Sequence, residues 1–223
     1  MVLRDIQCQE TLFARAESLF KRISQDNEVL KTFQFHSFRV MHFSIKLAKA
    51  IGCYDEDLKV AALLHDIGKI GISKKILLKP GKLDDLEYQI IQAHSTIGNN
   101  IVRTILEMPK AAVYVRDHHE RWDGRGYPRG LKANEISLQG RIIGICDAFD
   151  TMTIDRRNYH VCPITYDEAL QELKSCAWTQ FDGSLVNEFE QIIDHLRLPL
   201  PGKWEEDLEQ INALFADKEE NRI

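Results

Sequence analysis

The sequence lacks any run of about eighteen or more apolar residues, the length a membrane-spanning helix requires, and its start, MVLRDIQCQE, lacks the basic-then-apolar order of a secretory signal. A cytoplasmic chain without membrane association is therefore expected. Cysteine is sparse and unpaired: Cys8, Cys53, Cys146, Cys162 and Cys176 form an odd set with no CxxC pair, which argues against a disulfide framework and a thiolate zinc site. These cysteines are read as reduced, mostly buried small residues. Positive charge is not in excess. The formal charge of −5 and pI near 5.9 give no general attraction for a phosphate backbone, so general nucleic-acid binding is not expected. Local positive charge can still hold a small anion. Strand-like alternation of useful length and internal repeats are missing too, and the only compositional shift is the acidic end DKEENRI.

What is present is helical periodicity over a chain of 223 residues, 44% hydrophobic and 28% charged, enough for one sizeable core. Leu12, Phe13, Ala16, Leu19, Phe20 and Ile23 recur at helical spacing until SQDNE, at 24–28, interrupts them. From His36, the positions Val40, Phe43, Leu47 and Ile51 define an amphipathic helix stopped by Gly52. Asp55 can start a second helix carrying Leu58, Ala61, Ala62, Leu64 and Ile67 to Gly68, and Asp84 can cap a long third one through Ile105, with Pro80, Gly81 and Lys82 in the break. Residues 121–134, with Gly124, Gly126, Pro128 and Gly130, must be a loop. Helical spacing returns over 136–152, Thr165 and Glu168 form a capping-box pattern, and Asp182 can start a last helix through Leu196, ended by Pro199 and Pro201. The fold class is all-α, with a helical extension at 1–32, the main domain at 33–200 and a helical tail at 201–223.

Of eight histidines, five fall beside acidic residues, in a pair or at a helix edge: His36, His65 next to Asp66, His94, and His118 with His119. Such segments can converge their polar groups inside a helical bundle, where imidazole and carboxylate together suit divalent iron, manganese or zinc. Asp147 lies in the apolar run IIGICDAF, where an unpaired carboxylate would cost several kcal/mol and so demands a cation or strong donors. A lone histidine is ordinarily a hydrogen-bonded core or surface residue, and His42, His160 and His195 are left in that class.

At these residues the sequence resembles a known family. HDIGK, from His65, and HHERWDGRGYP, from His118, are similar to the two signatures of HD-GYP phosphodiesterases, members of the HD superfamily of metal-dependent phosphohydrolases. The likeness also takes in HSFRV, His94, RIIGICDAFD and FDGSLVNEF. It implies an HD-domain helical bundle with an HD-GYP extension, and a metal-dependent enzyme that linearises cyclic di-GMP. It further implies that Asp66 bridges two divalent ions, iron or manganese. His36, His65 and Asp147 would complete one shell, and His94, His118 and His119 the other. A water held between such ions becomes hydroxide near neutral pH, the expected nucleophile, and Lys69, three residues after Asp66, is the expected cation on the substrate phosphate. Arg156 and Arg157 stand where the family carries an Asp-Arg-Pro-Tyr-like segment whose arginine binds the second phosphate. Here the chain reads Asp155, Arg156, Arg157, Asn158, Tyr159, with one residue inserted and no proline, so either arginine fits that role.

Asp123, Gly124, Gly126 and Pro128 are expected to shape the loop, Tyr127 to shape it and meet substrate, and Glu120 and Asp150 to orient ligands. Three-metal relatives carry a glutamate four residues before the first histidine; that position is Thr32 here, and Glu28 is two turns away from His36, so two ions and mainly pGpG are expected. Competing expectations are a related phosphohydrolase acting on another nucleotide or cyclic dinucleotide, and a non-catalytic module that binds the dinucleotide or a diguanylate-signalling protein.

Overall fold

The computed structural model describes residues 11–25, 28–153 and 163–193. Arg156, Arg157, Tyr159, His160, His195, Cys8, Cys162, Leu196 and the tail at 201–223 lie outside them. Among the described residues the chain is helical, with an isolated bridge between Ala177 and Phe181 and no β-strand. In chain order the helices are α1 (Leu12–Gln25), α2 (Glu28–Ala50), α3 (Glu56–Leu64), α4 (Lys74–Leu77), α5 (Asp85–Ile105), α6 (Pro109–Asp117), α7 (Leu138–Thr153), α8 (Tyr166–Ser175) and α9 (Gly183–Ile193).

Helix starts follow from local caps. The Asp55 carboxylate accepts from the Leu58 N–H at 2.7 Å, Asp84 and Glu87 form a capping box, and Thr165 and Glu168 form another. The expected stop at Gly52 is also observed, with its φ at 72°. Two expectations need correction. The helix bearing His36 begins at Glu28, so His36 stands inside it rather than opening it. Helix α3 ends at Leu64 instead of reaching Gly68, and Ile67–Gly71 form a 3-10 turn. Its cause is tertiary: a Cβ on Gly68 would stand 1.9 Å from the His94 carbonyl oxygen, so the backbone of this turn lies directly on α5. Helix α6 has only weak sequence signals; Pro109 at its first position is the clearest.

The core forms between α2, α3, α6, α7 and α9. Phe43 of α2 meets Phe149 of α7 and Phe189 of α9 edge-on, with centroids at 5.6 and 6.4 Å. Helix α1 closes one side through buried Ala16 and Phe20. Of the cysteines, Cys146 is buried while Cys53 and Cys176 are half-buried, all three with free thiols.

Candidate metal centre and adjoining cavity

Five elements bring polar side chains to one point. His36 comes from α2, His65 and Asp66 from the end of α3, His94 from α5, His118 and His119 from the end of α6, and Asp147 from α7. His65 and His118 are the C-terminal caps of their helices, where the helix dipole favours positive charge. Asp66 sits at the bend, with φ −98° and ψ 3°, a sparsely used region common at functional residues.

Asp66, His94, His118 and His119 offer ligand atoms within 4.8 Å of one another, and so do His36, His65 and Asp66. Asp66 belongs to both groups. Its Oδ1 lies 3.4 Å from His94 Nε2, while its Oδ2 lies 3.6 Å from His65 Nε2 and 3.9 Å from His36 Nε2. Asp147 adjoins the second group, its Oδ1 3.1 Å from His36 Nε2 and 3.9 Å from His65 Nε2. Lys69 Nζ pairs with Asp66 Oδ2 across the 3-10 turn, whose i and i+3 side chains eclipse.

Three imidazoles are oriented by backbone. Nδ1 of His65, His94 and His118 meets the carbonyl oxygens of Ala62, Ile91 and Val115 at 2.9, 2.7 and 2.6 Å. In the neutral ring Nδ1–H donates there, leaving each Nε2 lone pair aimed at the centre. His65 Nε2 then faces His36 Nε2 at 3.2 Å, and His94 Nε2 faces His118 Nε2 at 3.4 Å. The opposed Nε2 lone pairs of His94 and His118, beside carboxylates and two helix C-termini, fit a cation; the whole donor set suits divalent transition metals.

Electrostatics agree. Burial holds His94 and His118 down to about 4, and lowers His65 and His119 as well. Burial opposes charge on His36, yet hydrogen bonds to Asp147 and Asp150 outweigh it and raise its pKa. Burial also opposes ionisation of Asp66 and Asp147, but Lys69 and the histidines hold the first, and His36 the second, well below the usual carboxylate range. The imidazoles other than His36 are thus neutral, and the carboxylates charged, near pH 7.

Asp150, fully buried, accepts from His36 Nδ1 at 2.7 Å and from Arg39 Nε. Arg39, 2% exposed, also lies over the Phe35 and Phe43 rings. Arg39 is a residue the sequence reading passed over, although a charge three positions after His36 on the inward face of an apolar helix signals a buried pair. Glu120 serves differently from the expectation: its oxygens accept from Arg129 N at 2.7 Å and Leu131 N at 2.9 Å, so it shapes the loop rather than orienting a ligand. Asp123 also shapes it, holding Arg121 and the Arg125 N–H. Gly124 has φ 80°, and the Tyr127–Pro128 peptide is cis. The Tyr127 ring lies on His119, with centroids 4.8 Å apart. His42 lies outside the cluster, beside Phe43.

A cavity of about 460 Å³ opens from Asp147 and His119 and extends to Trp122, Gln180 and Asp182. Its far wall is built by the turn between α8 and α9, where the N–H groups of Trp122 and Asp123 donate to the carbonyls of Gln180 and Thr179 at 3.0 and 2.8 Å.

A helical bundle that gathers two histidine–aspartate clusters about one shared carboxylate defines a domain of the class built around a metal site. Residues 44–185 match the HD domain family, and the chain belongs to it. The cyclic di-GMP phosphodiesterase of Thermotoga maritima is 41% identical over 161 residues, covering 69% of this chain and 43% of the relative. The 3'3'-cGAMP-specific phosphodiesterase 3 of Vibrio cholerae is 41% identical over 150 residues, covering 66% and 32%. The chain thus spans less than half the length of these curated relatives. In fold it resembles the cyclic GMP-AMP-specific phosphodiesterase V-cGAP3 of V. cholerae, with a TM-score of 0.56, 19% identity and coverage of 82% of this chain and 54% of that one. It also resembles an HDG"Y"P protein from Bdellovibrio bacteriovorus, with a TM-score of 0.59, 17% identity and coverage of 83% and 65%. No helix among the described residues is long and apolar enough to cross a membrane.

Proposed function

We propose that this chain is a cytoplasmic metal-dependent phosphodiesterase that linearises cyclic di-GMP, with pGpG as main product. The observation that carries the reading is the Asp66 carboxylate, one oxygen of which faces His94 while the other faces His36 and His65. One divalent ion would be held by His36, His65, Asp66 and Asp147, the other by Asp66, His94, His118 and His119, with iron or manganese suited to these donors. When bound, such ions lower the pKa of coordinated water and polarise phosphoryl oxygens.

The chain's own residues position the reactants. Lys69, 16% exposed beside Asp66, sets an ammonium where phosphate oxygens would arrive, so charge developing there meets a preorganised cation. Asp150 holds the His36 ring in one tautomer through Nδ1. Tyr127, whose ring lies on His119, lines the cavity and would meet the substrate there. The Thermotoga relative, named for cyclic di-GMP, supports this substrate; the Vibrio relative, named for 3'3'-cGAMP, supports a second reading with that dinucleotide, since both are 41% identical.

Chromatography of cyclic di-GMP and of 3'3'-cGAMP incubated with anaerobically purified, Fe(II)- or Mn(II)-loaded chain tests the proposal. Metal-dependent pGpG from the first, lost in Asp66→Ala, is expected. Retained hydrolysis in Asp66→Ala would refute the ligand assignment, turnover of 3'3'-cGAMP alone would move the substrate to the second reading, and three metal ions per chain would refute the count of two.

A further inference from the structure

We infer that the cavity beside the metal centre seats one nucleoside of the substrate and that Gln180 selects guanine over adenine there; this rests on the phosphodiesterase reading and deepens it. The cavity begins at Asp147 and His119, where a scissile phosphate would lie, and its volume of about 460 Å³ falls in the usual range for small-molecule pockets, roughly 300–1,000 Å³. Trp122 contributes a half-buried aromatic wall beyond the metal cluster, suited to a base face.

At that far end the acceptors are engaged and the donors are in excess. The oxygens of Glu120 are taken by the N–H groups of Arg129 and Leu131. Those of Asp182 are taken by Arg141 Nη1 and by the Ser184 N–H at 3.0 Å. Gln180 Oε1 accepts from Arg121 Nη1 at 2.8 Å, and Arg121 is itself locked by Asp123 at 3.1 and 2.9 Å. A guanidinium only donates, so the amide must turn its carbonyl towards Arg121 and leave its two N–H donors for the cavity. The exposed Arg125 adds a guanidinium, another donor-only group, to the lining of the cavity.

A donor-lined end matches a base edge made of acceptors. Guanine presents O6 and N7, both acceptors; adenine presents an N6 amino donor next to N7. Adenine would place its amino group against the Gln180 amide N–H pair, leaving donors unmatched away from water. The two sequence relatives differ in the cyclic dinucleotide for which they are named, and this wall is where the present chain would make that choice.

Calorimetric titration of GMP and of AMP into the full chain with Mn(II) reads the pocket without turnover. The wild type is expected to bind GMP about 10- to 100-fold more tightly than AMP, the discrimination of one good base contact. In Gln180→Glu the donor pair becomes a carboxylate and the ratio should fall about tenfold. In Trp122→Ala both nucleotides should weaken together with the ratio kept. Equal affinities in the wild type, no binding of either nucleotide at millimolar concentration, or an unchanged ratio in Gln180→Glu overturns the assignment. A guanine preference that Gln180→Glu removes, in a chain that hydrolyses no cyclic dinucleotide, would uphold the pocket and sink the phosphodiesterase reading.

Discussion

Asp150 gives the sharpest test of how the metal centre is built into the core. It is fully buried and joins His36 Nδ1, at 2.7 Å, to the guanidinium of Arg39. Among the described residues, the guanidinium in Asp150→Ala would keep the Tyr166 hydroxyl at 3.4 Å and the faces of Phe35 and Phe43. Removing one member of a buried ion pair costs about 3–5 kcal/mol, mainly because the other charge stays desolvated. With a urea slope of about 3 kcal/mol per molar, the unfolding midpoint of the chelator-treated chain should drop by about 1–1.7 M.

Asp150→Asn separates packing from chemistry. It keeps the shape and one acceptor but not the charge, so the loss of stability should be smaller, about 1.5–3 kcal/mol. The His36 ring loses the carboxylate that fixes its tautomer, and affinity for the ion at the His36, His65 and Asp147 side should fall about 10- to 100-fold. Mn(II) titration followed by calorimetry should then show one weakened and one unchanged step. A chain whose Asp150→Ala variant unfolds within 0.5 kcal/mol of the wild type (roughly the spread of surface substitutions), or whose Asn variant keeps both steps, would refute this account.

Acid should weaken the chelator-treated chain. His94 and His118 are held at about 4 when folded, against roughly 6.5 when unfolded, so below the unfolded value the unfolded state binds more protons and stability falls; at pH 5 each histidine removes about 2 kcal/mol. His65 and His119 add to this and His36, with its raised pKa, offsets part of it; a urea midpoint unchanged or higher at pH 5 than at pH 7.5 would contradict the neutral cluster. Gly126→Ala should distort the loop, since its Cβ would stand 2.3 Å from Arg121 N and 2.5 Å from Glu120 Cα, backbone atoms with little freedom to yield. A loss of about 1–3 kcal/mol with altered tryptophan fluorescence is expected; wild-type stability and spectrum would show that the loop is not held this closely.

Legibility in the sequence followed the range of the interactions. Helix starts were readable because Asp55, Asp84 and Thr165 act on N–H groups three residues away. The end of α3 was not, because Gly68 is shaped by the backbone of α5, which the chain reaches only some turns later. Asp147 was readable for an energetic reason, since a carboxylate in an apolar run is costly to bury and implies a partner, while the five histidines were readable from their placement beside acidic residues, in a pair or at helix edges. The far wall of the cavity gave no such signal. Trp122 and Gln180 meet through a backbone hydrogen bond between two loops, and nothing local in either announces the other. The proposed metal chemistry therefore rests on residues embedded in helices and helix ends, while the proposed choice of base rests on a separate turn between α8 and α9. The two can change independently: a chain could keep every histidine of the centre and alter its base preference by exchanging side chains at 178–182 alone.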